Sequence, residues 1–580
     1  MIDILNKIMK QIKENKWIHY IIIIAIGIVL SIPLSKIQIR NTHDGVLHML
    51  RILGTKDTLE IGQIPPLINQ NYCNGAGYAM NLFYPPIVTY IPLLIKIFTS
   101  SYMITLKIFG GICIVLSGIT MYQFVYNVTN KRIIALFSAI FYLIAPYKLA
   151  NVYKRFAIGE FTALAFMPMV FLGLYNLFNQ DGKKHYYIVI GAVGLMLCHT
   201  VTTLYTAIFC LIYVLFNIKK IKEKGIIKKC IIDVIFILLI SILFWFPLLE
   251  ATKACDYAIM DDSIIATNGQ YASSHTISLS QLFKDKGEEN GTTFLIGIPT
   301  IALLILTIFV YKKIDNSYKE IYLINLIFAL ISIFMASRFF PWKIMPGILC
   351  KLQYPWRMMG FFNFFTSFIC GVNLYIILRQ LIKRDNIRLI VSIIFVVLSV
   401  IYSNKIMSSF YATDTNLDNT YETAILKNKK ISHMSINRDY MPVRAINLQN
   451  SYVMQRKDTT YILEGSANII NENKVNLTDN IEIENITKDT TLEFPYYYYV
   501  GYKVTIEMSD GSVKDIKPIE SKNGYLSCVI DENIDKAIIK VEYVGTTITY
   551  VSYIISLISL IGFIIYVRYE VKKGEDNVKN

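Results

Sequence analysis

Apolar runs of nearly twenty residues are the feature that most constrains the fold of this chain. Segments such as WIHYIIIIAIGIVLSIPL, which begins at Trp17, carry almost no charge and recur along the 580 residues. A helix of about 20 apolar residues crosses about 30 Å of hydrocarbon. Only 17% of the residues are charged and the mean hydropathy is +0.45, whereas soluble proteins carry about a quarter charged residues. The sequence therefore predicts a polytopic α-helical membrane protein.

The basic residues predict how the chain is threaded through the bilayer. The net charge of +15 comes from short Lys/Arg clusters between apolar runs, and such clusters favour the cytoplasmic face. This reading needs no nucleic-acid partner. All clusters fall on one face if residues 86–99 form an interfacial helix instead of a crossing. The prolines Pro85, Pro86 and Pro92 in this apolar stretch favour the short interfacial helix. The prediction is about twelve transmembrane helices, with both termini cytoplasmic. The predicted spans are 17–35, 102–126, 133–149, 157–178, 186–199, 201–217, 230–249, 293–311, 320–336, 358–378, 388–403 and 547–567.

The composition divides the chain into three parts. Residues 1–404 form a transmembrane module with an outer loop at 36–100. Residues 405–546 contain alternating stretches such as YKVTIEM and KAIIKVEYV, separated by SDGS and SKNG turns, which predict an extracellular β-sandwich. Residues 547–580 form the last transmembrane helix and a cytoplasmic tail.

Polar residues collect at the outer ends of the spans, first in RNTHDGVLHMLRILG at 40–54. In a helix, Asp44, His48 and Arg51 are spaced i, i+4 and i+7 and share one face. This spacing indicates a site. The alternative is that Asp44 caps an amphipathic helix at the membrane surface.

A second group lies in YKLANVYKRFAIGE at 147–160 and includes Tyr153, Arg155 and Glu160. A carboxylate just inside a span has to be paired or line a wet cavity, and Arg155 is placed to pair with Glu160. The alternative is that Glu160 only favours the helix dipole at the start of its span.

Two further groups complete the outer face. CHTVTT at 198–203 holds His199, and a histidine at a membrane interface is more often structural than catalytic. RFFPWKIMPGILCKLQYPWRMMG at 338–360 holds the aromatic residues Trp342, Tyr354 and Trp356, which are typical of interfacial anchors. It also holds outer-face cations, which a phosphate-bearing ligand would explain. These cations are Arg338, Lys343, Lys351 and Arg357.

The order of these groups resembles that of the GT-C glycosyltransferases, multi-pass enzymes that use polyprenyl-phosphate sugars. An acid follows span 1, a YPP interfacial helix comes next, and a second acid precedes span 4. Within that superfamily the chain is most similar to the bacterial membrane proteins labelled 6-pyruvoyl-tetrahydropterin synthase-related. The matching stretches are HDGVLH (43–48), FYPP (83–86), RFAIGE (155–160), CHTVTT (198–203) and QYPWRM (353–358). FPYYYYVGYKVTI (494–506) and NGYLSCVID (523–531) resemble the terminal β-domain of related bacterial GT-C-like proteins.

The resemblance implies inverting sugar transfer from a polyprenyl-phosphate donor to a cell-surface glycan or lipid acceptor, at the outer face of a bacterial cell membrane. Carried over by position, the resemblance implies that Asp44 is the first-loop acid, as general base or metal ligand, and that Glu160 is the second acid. Beside these two catalytic acids we predict His48 as a catalytic residue. The predicted substrate-binding residues are His43, Arg51, Tyr153, Arg155, His199, Lys343, Gln353 and Arg357. The first-loop acid is a single aspartate rather than a paired acidic motif, which leaves a divalent metal ion open, with Asp44 and Glu160 as candidate ligands.

Two other functions fit the same sequence. A flippase for lipid-linked sugars would also show outer cations, but it should need polar residues deep in the spans, and these are nearly free of charge apart from Asp233. A non-enzymatic scaffold for cell-envelope assembly would use the bundle only to display the β-sandwich.

Overall fold

The structure, a computed structural model, describes residues 15–223, 225–261, 268–284, 293–412, 414–427, 438–447 and 456–579. The N-terminal residues predicted to be cytoplasmic lie mostly outside these ranges. Among the described residues, eight continuous helices are long and apolar enough to cross a membrane. A bent pair, Arg132–Ile144 and Pro146–Arg155 with 48° between them, makes a ninth if it is one span. The eight helices are Lys16–Lys36, Tyr102–Thr129, Ile158–Asn179, Ile226–Ala254, Asn316–Ala336, Pro355–Leu381, Asp385–Phe410 and Thr547–Lys573.

The polytopic helical fold is confirmed, but the helices that can cross number eight or nine within the described residues, not about twelve. The predicted spans 186–199 and 201–217 form a hairpin of the shorter helices Tyr187–Met196 and Thr200–Phe216. The predicted span 293–311 is broken into short helices at Ile298–Ile305 and Thr307–Val310. Ten helical residues rise only about 15 Å. Hydropathy detects apolar composition and does not report where a helix breaks.

The helix Lys16–Ser31 runs antiparallel to Tyr102–Thr129. Nδ1 of His19 lies 2.8 Å from the hydroxyl of Tyr122, while Gly111, near the opposite end of the second helix, packs against the Ser31 side chain. The chain between these helices therefore leaves and re-enters on one face. The helix Ile87–Lys96 within it does not cross, as the prolines predicted.

The basic loops meet on the opposite face. Nζ of Lys220 lies 3.2 Å from Oδ1 of Asn179 and 4.0 Å from a carboxylate oxygen of Glu320. Nζ of Lys313 donates to Oε1 of Gln380 at 2.7 Å. Because Lys/Arg clusters favour the cytoplasmic side, we expect this face to be cytoplasmic.

The C-terminal strands form a β-sandwich between residues 461 and 543. The strands are β1 Tyr461–Glu464, β2 Asn468–Val475, β3 Thr478–Ile486, β4 Thr490–Tyr497, β5 Tyr502–Met508, β6 Val513–Ile516, β7 Ile519–Glu520, β8 Tyr525–Ile530 and β9 Ile534–Tyr543. They make two antiparallel sheets with strand orders β1-β4-β8-β7 and β2-β3-β9-β5-β6. Alternate residues of β3, β5 and β9 are buried, as expected for sheets with one face in a core. The predicted segment begins earlier, at 405, where the structure has helices, including Asn416–Lys427 and Val443–Asn447.

The sandwich is tied to the first loop. Nζ of Lys474 in β2 donates to the carbonyl of Gly75 at 2.9 Å, and the amide of Tyr497 in β4 donates to the carbonyl of Ala76 at 2.9 Å. The loop and the sandwich therefore lie on the same face of the helix bundle.

The last transmembrane helix is held to the bundle by a buried polar network. Nδ1 of His185 lies 2.8 Å from Asp233, and Nε2 lies 2.9 Å from the hydroxyl of Tyr566. Breaking a buried pair by removing one partner typically costs about 3–5 kcal/mol. We expect His185→Ala to lower the melting temperature of the protein in detergent clearly, whereas Lys313→Ala, at an exposed pair, should not. An unchanged melting temperature for His185→Ala would show that the network contributes no stability.

Candidate active site

Asp44 stands at the start of the helix Gly45–Glu60 but does not cap it. Its side chain makes no capping hydrogen bond, whereas Oγ1 of Thr42 accepts from the amide of Gly45 at 3.1 Å. The half-buried carboxyl group of Asp44 is therefore not used for helix capping, and the capping alternative raised by the sequence does not explain it.

The first and second polar segments converge through their main chains. The amide of His43 donates to the carbonyl of Lys154 at 3.2 Å, and the amide of Asp44 donates to the carbonyl of Arg155 at 2.9 Å. These two bonds join the first outer loop directly to the end of the bent helix pair.

Glu160 is the centre of a buried polar cluster. Its Oε1 accepts from the hydroxyl of Tyr147 at 2.8 Å and from Nδ2 of Asn151 at 2.9 Å. Its Oε2 lies 2.7 Å from Nη1 of Arg155 and 3.7 Å from Nε of Arg357. The predicted pairing of Glu160 with Arg155 is present. Glu160 thus holds the two arginines in place.

Local backbone geometry brings this cluster together. The short helix Pro146–Ala150 runs into a π-helical turn at Asn151–Arg155, and Phe156 then reverses the chain with φ +50°. Sequence reasoning missed Tyr147 and Asn151. Tyr147, Asn151 and Arg155 follow one another at intervals of four positions. This spacing of four was the available signal for a shared helical face.

Arg357 comes from a distant part of the chain, just before the helix Met358–Leu381. Its Nη1 donates to the carbonyl of Leu352 at 2.8 Å and lies 3.4 Å from Oε1 of Gln353. Gln353 has φ +61°. The predicted binding residue Gln353 therefore supports the guanidinium of Arg357.

The surroundings of Asp44 shift the pKa of its carboxyl group in both directions. Burial is the largest influence and raises the pKa of its carboxyl group, while the neighbouring charges of Arg155, His43 and Arg357 lower it and that of Glu160 raises it. The net shift is upward. A carboxylate that is more basic than usual and lies near cations is suited to accept a proton.

Arg51 and His48 form a second buried pair on the same helix. The guanidinium carbon of Arg51 lies 3.6 Å from the ring centroid of Tyr84, and its Nη1 lies 3.2 Å from Nδ1 of His48. Burial, and then the charges of Arg51 and His199, hold the pKa of His48 well below 6.5. His48 is therefore neutral at pH 7.

The neutral, buried His48 predicts a pH dependence of stability. Because its pKa is lower in the folded state, the unfolded chain binds a proton that the folded chain does not. The contribution of His48 to the free energy of unfolding is constant above about pH 6.5. At lower pH this contribution decreases by about 1.4 kcal/mol per pH unit. We expect the melting temperature of the wild type to fall more between about pH 7.5 and about pH 5.5 than that of His48→Gln. Equal falls would contradict this.

His199 has, in part, the structural role that the sequence left open for it. Its Nδ1 lies 2.7 Å from Oγ1 of Thr202 and accepts from the Thr202 amide at 3.2 Å, so it caps the helix Thr200–Phe216. The His199 ring is nevertheless close to Gly159, the residue before Glu160, because a Cβ atom placed on Gly159 would lie 3.0 Å from Cδ2 of His199. His199 is therefore at the edge of the Glu160 cluster.

Two predicted binding residues point elsewhere. The hydroxyl of Tyr153 donates to the carbonyl of Leu30, so Tyr153 fastens the bent helix pair to the first span. Lys343 is exposed in the short helix Trp342–Ile344, whose main chain packs against Gly269. The chain pairs Tyr147, rather than Tyr153, with Glu160.

The segment 438–447 adds residues that sequence reasoning missed. The ring of Tyr440 stacks on Phe83, with centroids 5.3 Å apart and planes 5° apart. Burial, and then the charge of Asp44, raises the pKa of Asp439, and Arg51 lowers it. Asp439 is therefore close enough to Asp44 and Arg51 for both charges to act on it. No sequence pattern marks it, because a single acid in a polar segment is ordinary.

The residues around Glu160 do not fit a divalent metal ion. Both of its oxygens already accept from Tyr147, Asn151 and Arg155, and a second cation, Arg357, lies nearby. In the part of the chain that the structure describes, no three His, Cys, Asp or Glu side chains gather as metal ligands.

Comparison with known proteins finds a match to a family of membrane proteins. A profile described as "6-pyruvoyl-tetrahydropterin synthase related domain; membrane protein" matches residues 82–410. An uncharacterized protein of Lactococcus lactis subsp. cremoris (strain MG1363) is 28% identical over 356 residues, which cover 58% of this chain and 56% of the relative. The match thus spans little more than half the length of that relative.

Among solved structures, the oligosaccharyltransferase of Archaeoglobus fulgidus, in complex with Zn and sulfate, is similar at 12% identity with a TM-score of 0.36. The similarity covers 69% of this chain and 56% of that protein, and it is too weak to indicate function. The family profile covers more than half of the 580 residues. The chain therefore belongs to the 6-pyruvoyl-tetrahydropterin synthase-related family of membrane proteins.

Proposed function

We propose that the protein is a GT-C-type membrane glycosyltransferase that transfers a sugar from a polyprenyl-phosphate donor to a cell-surface glycan or lipid acceptor. The observation that carries this proposal is the meeting of Asp44 with Arg155, Glu160 and Arg357 on one face of the bundle. A basic carboxylate beside two arginines supplies a proton acceptor and a holder for a phosphate.

In the proposed reaction, the acceptor hydroxyl attacks the anomeric carbon of the donor sugar from the face opposite the phosphate. The carbon–oxygen bond to the phosphate breaks and its electron pair stays on the phosphate oxygen, which inverts the anomeric centre. The hydroxyl proton passes to Asp44 as general base. The products are a glycosylated acceptor and polyprenyl phosphate.

Arg357 and Arg155 stabilise the negative charge on the leaving phosphate. Nε of Arg357 is buried, makes no hydrogen bond within the described residues and lies 3.7 Å from Oε2 of Glu160, so Arg357 is held at the site as a positive charge. A positioned donor aimed at a developing charge is worth about 10²–10³-fold in rate. Glu160 is a positioning residue, because it holds both arginines and has its own oxygens occupied.

His48 and Arg51 orient the first loop. Their contact with Tyr84 ties the helix Gly45–Glu60 to the segment before the interfacial helix. The β-sandwich, tied to the same loop through Lys474, would orient the glycan acceptor. The bilayer holds the donor tail, and we propose that the site faces the outside, opposite the basic loops.

A transfer assay tests this function. The purified protein is reconstituted in vesicles with a radiolabelled polyprenyl-phosphate hexose and an envelope glycan fraction, and label is followed into the glycan. Transfer supports a glycosyltransferase. Label that crosses the bilayer without transfer would instead indicate a flippase. If the double variant Asp44→Asn, Glu160→Gln still supports envelope assembly in cells, the protein is a scaffold.

A further inference from the structure

Four aromatic side chains from two separate segments pack together beside Arg357. The rings of Tyr354 and Trp356 stack with centroids 4.3 Å apart, and the His275 ring lies 5.1 Å from Tyr354. The Tyr271 ring lies 4.2 Å from His275, and its hydroxyl lies 3.0 Å from that of Tyr354. We name Tyr271, His275, Tyr354 and Trp356 the aromatic row.

The aromatic row leads from the surface to the Glu160 cluster. The Phe294 ring lies 5.6 Å from Trp356 and 6.3 Å from Tyr147, whose hydroxyl donates to Glu160. The guanidinium carbon of Arg357 lies 4.9 Å from the Tyr354 ring centroid. Arg357 thus contacts both the row and Glu160.

Membrane anchoring is the usual role of Tyr and Trp at an interface, but it explains this row poorly. Trp356 is only 9% exposed and is covered by other rings. The side chains available to lipid in the same loop are Phe339, which is 59% exposed, and Ile344, which is 78% exposed. Tyr271, His275 and Tyr354 are half-buried, so their edges remain accessible from the surface.

We propose that the aromatic row is a subsite whose exposed ring edges pack against the apolar C–H face of a pyranose ring. This inference rests on the proposed function and names where its sugar is recognised. Aromatic rings supply apolar contact area, and a few polar groups fix orientation. Here the hydroxyls of Tyr271 and Tyr354 and the guanidinium of Arg357 are placed to contact sugar hydroxyls. The pyranose ring belongs either to the donor or to the acceptor, and competition by the donor distinguishes the two.

Trp356 provides the readout. The full-length protein in phosphatidylcholine nanodiscs is titrated with chitotriose and with maltotriose while tryptophan fluorescence is recorded. We expect a saturable change with at least one of the two sugars, and its absence in Trp356→Phe. Tyr354→Leu should raise the half-saturating concentration about 2- to 10-fold. Phe339→Leu, an exposed aromatic residue of the same loop, is the matched control and should not change it.

Three results decide the proposal. Absence of a saturable change with either sugar, or a change that Tyr354→Leu leaves unaltered, overturns it. Quenching of Trp356 by brominated phospholipids without a response to sugar shows a bilayer anchor instead. Competition by unlabelled polyprenyl-phosphate hexose assigns the subsite to the donor, and lack of competition assigns it to the acceptor.

The test is separate from the test of transfer. Asp44→Asn should bind the trisaccharide as the wild type does even where transfer is lost. Sugar binding without any transfer by the wild type would leave the subsite standing and overturn the glycosyltransferase. Transfer without sugar binding at Trp356 would support the glycosyltransferase and overturn the subsite.

Discussion

Asp44→Asn is expected to lower the rate of sugar transfer by about 10²–10⁴-fold, the typical contribution of a positioned general base. The change keeps the shape of the side chain and removes only its ability to accept the proton. The measurement is the initial rate of transfer by purified wild-type and variant protein at equal concentration of folded protein.

The same variant should be as stable as the wild type. Asp44 makes no capping hydrogen bond, and its pKa is raised mainly by burial, so its ionised form does not stabilise the fold at neutral pH. We therefore expect a melting temperature that is unchanged or slightly higher. This separates a catalytic role from a structural one.

Asp57→Asn is the matched control. Asp57 lies on the same helix, Gly45–Glu60, is also half-buried, and accepts from Nδ2 of Asn71 at 3.3 Å. It lies at the other end of the helix from the arginines, so its variant should transfer sugar at the wild-type rate. Wild-type transfer by Asp44→Asn, or equal losses in both variants, would refute the assignment of Asp44 as base.

Glu160→Gln is expected to affect both stability and transfer. The amide group of glutamine would direct a donor at Arg155 Nη1, which now lies 2.7 Å from a carboxylate oxygen, and would leave two arginines without their counter-charge. Loss of one partner in a buried pair costs about 3–5 kcal/mol. We expect a large drop in melting temperature and loss of transfer in the protein that remains folded.

A remote pair provides the control for this prediction. Arg456 and Glu493 in the β-sandwich are also buried, with Nε and Oε1 3.2 Å apart. Glu493→Gln should destabilise the protein without lowering the transfer rate per folded molecule. If Glu160→Gln behaved in the same way, the Glu160 cluster would be structural and the arginines would not act on substrate.

Part of the site was readable from the sequence. The spacing of Asp44, His48 and Arg51 predicted a common helical face, and the structure places His48 and Arg51 on the helix Gly45–Glu60 with Asp44 directly before its first residue. The pairing of Glu160 with Arg155 was also predicted, because a carboxylate at the start of a span needs a partner. The membership in the 6-pyruvoyl-tetrahydropterin synthase-related family is confirmed by the family profile.

Other contributors could not be read in this way. Asp439 and Tyr440 reach the site from the segment between the helix Asn416–Lys427 and the β-sandwich, and no local pattern marks a long-range contact. Tyr153 was the tyrosine predicted at the site from this segment, but Tyr147, which precedes the π-helical turn at Asn151–Arg155, is the one that donates to Glu160.

By itself the sequence determined the membrane environment, the helical bundle with its β-sandwich, and the shortness of the helix at Ile87–Lys96, because hydropathy, charge and proline act locally along the chain. Only the tertiary structure decided how many helices can cross, which side chains surround Glu160, and that Arg357 lies against both Glu160 and an aromatic row. These features depend on where helices break and on contacts between residues far apart in the chain, and local composition determines neither.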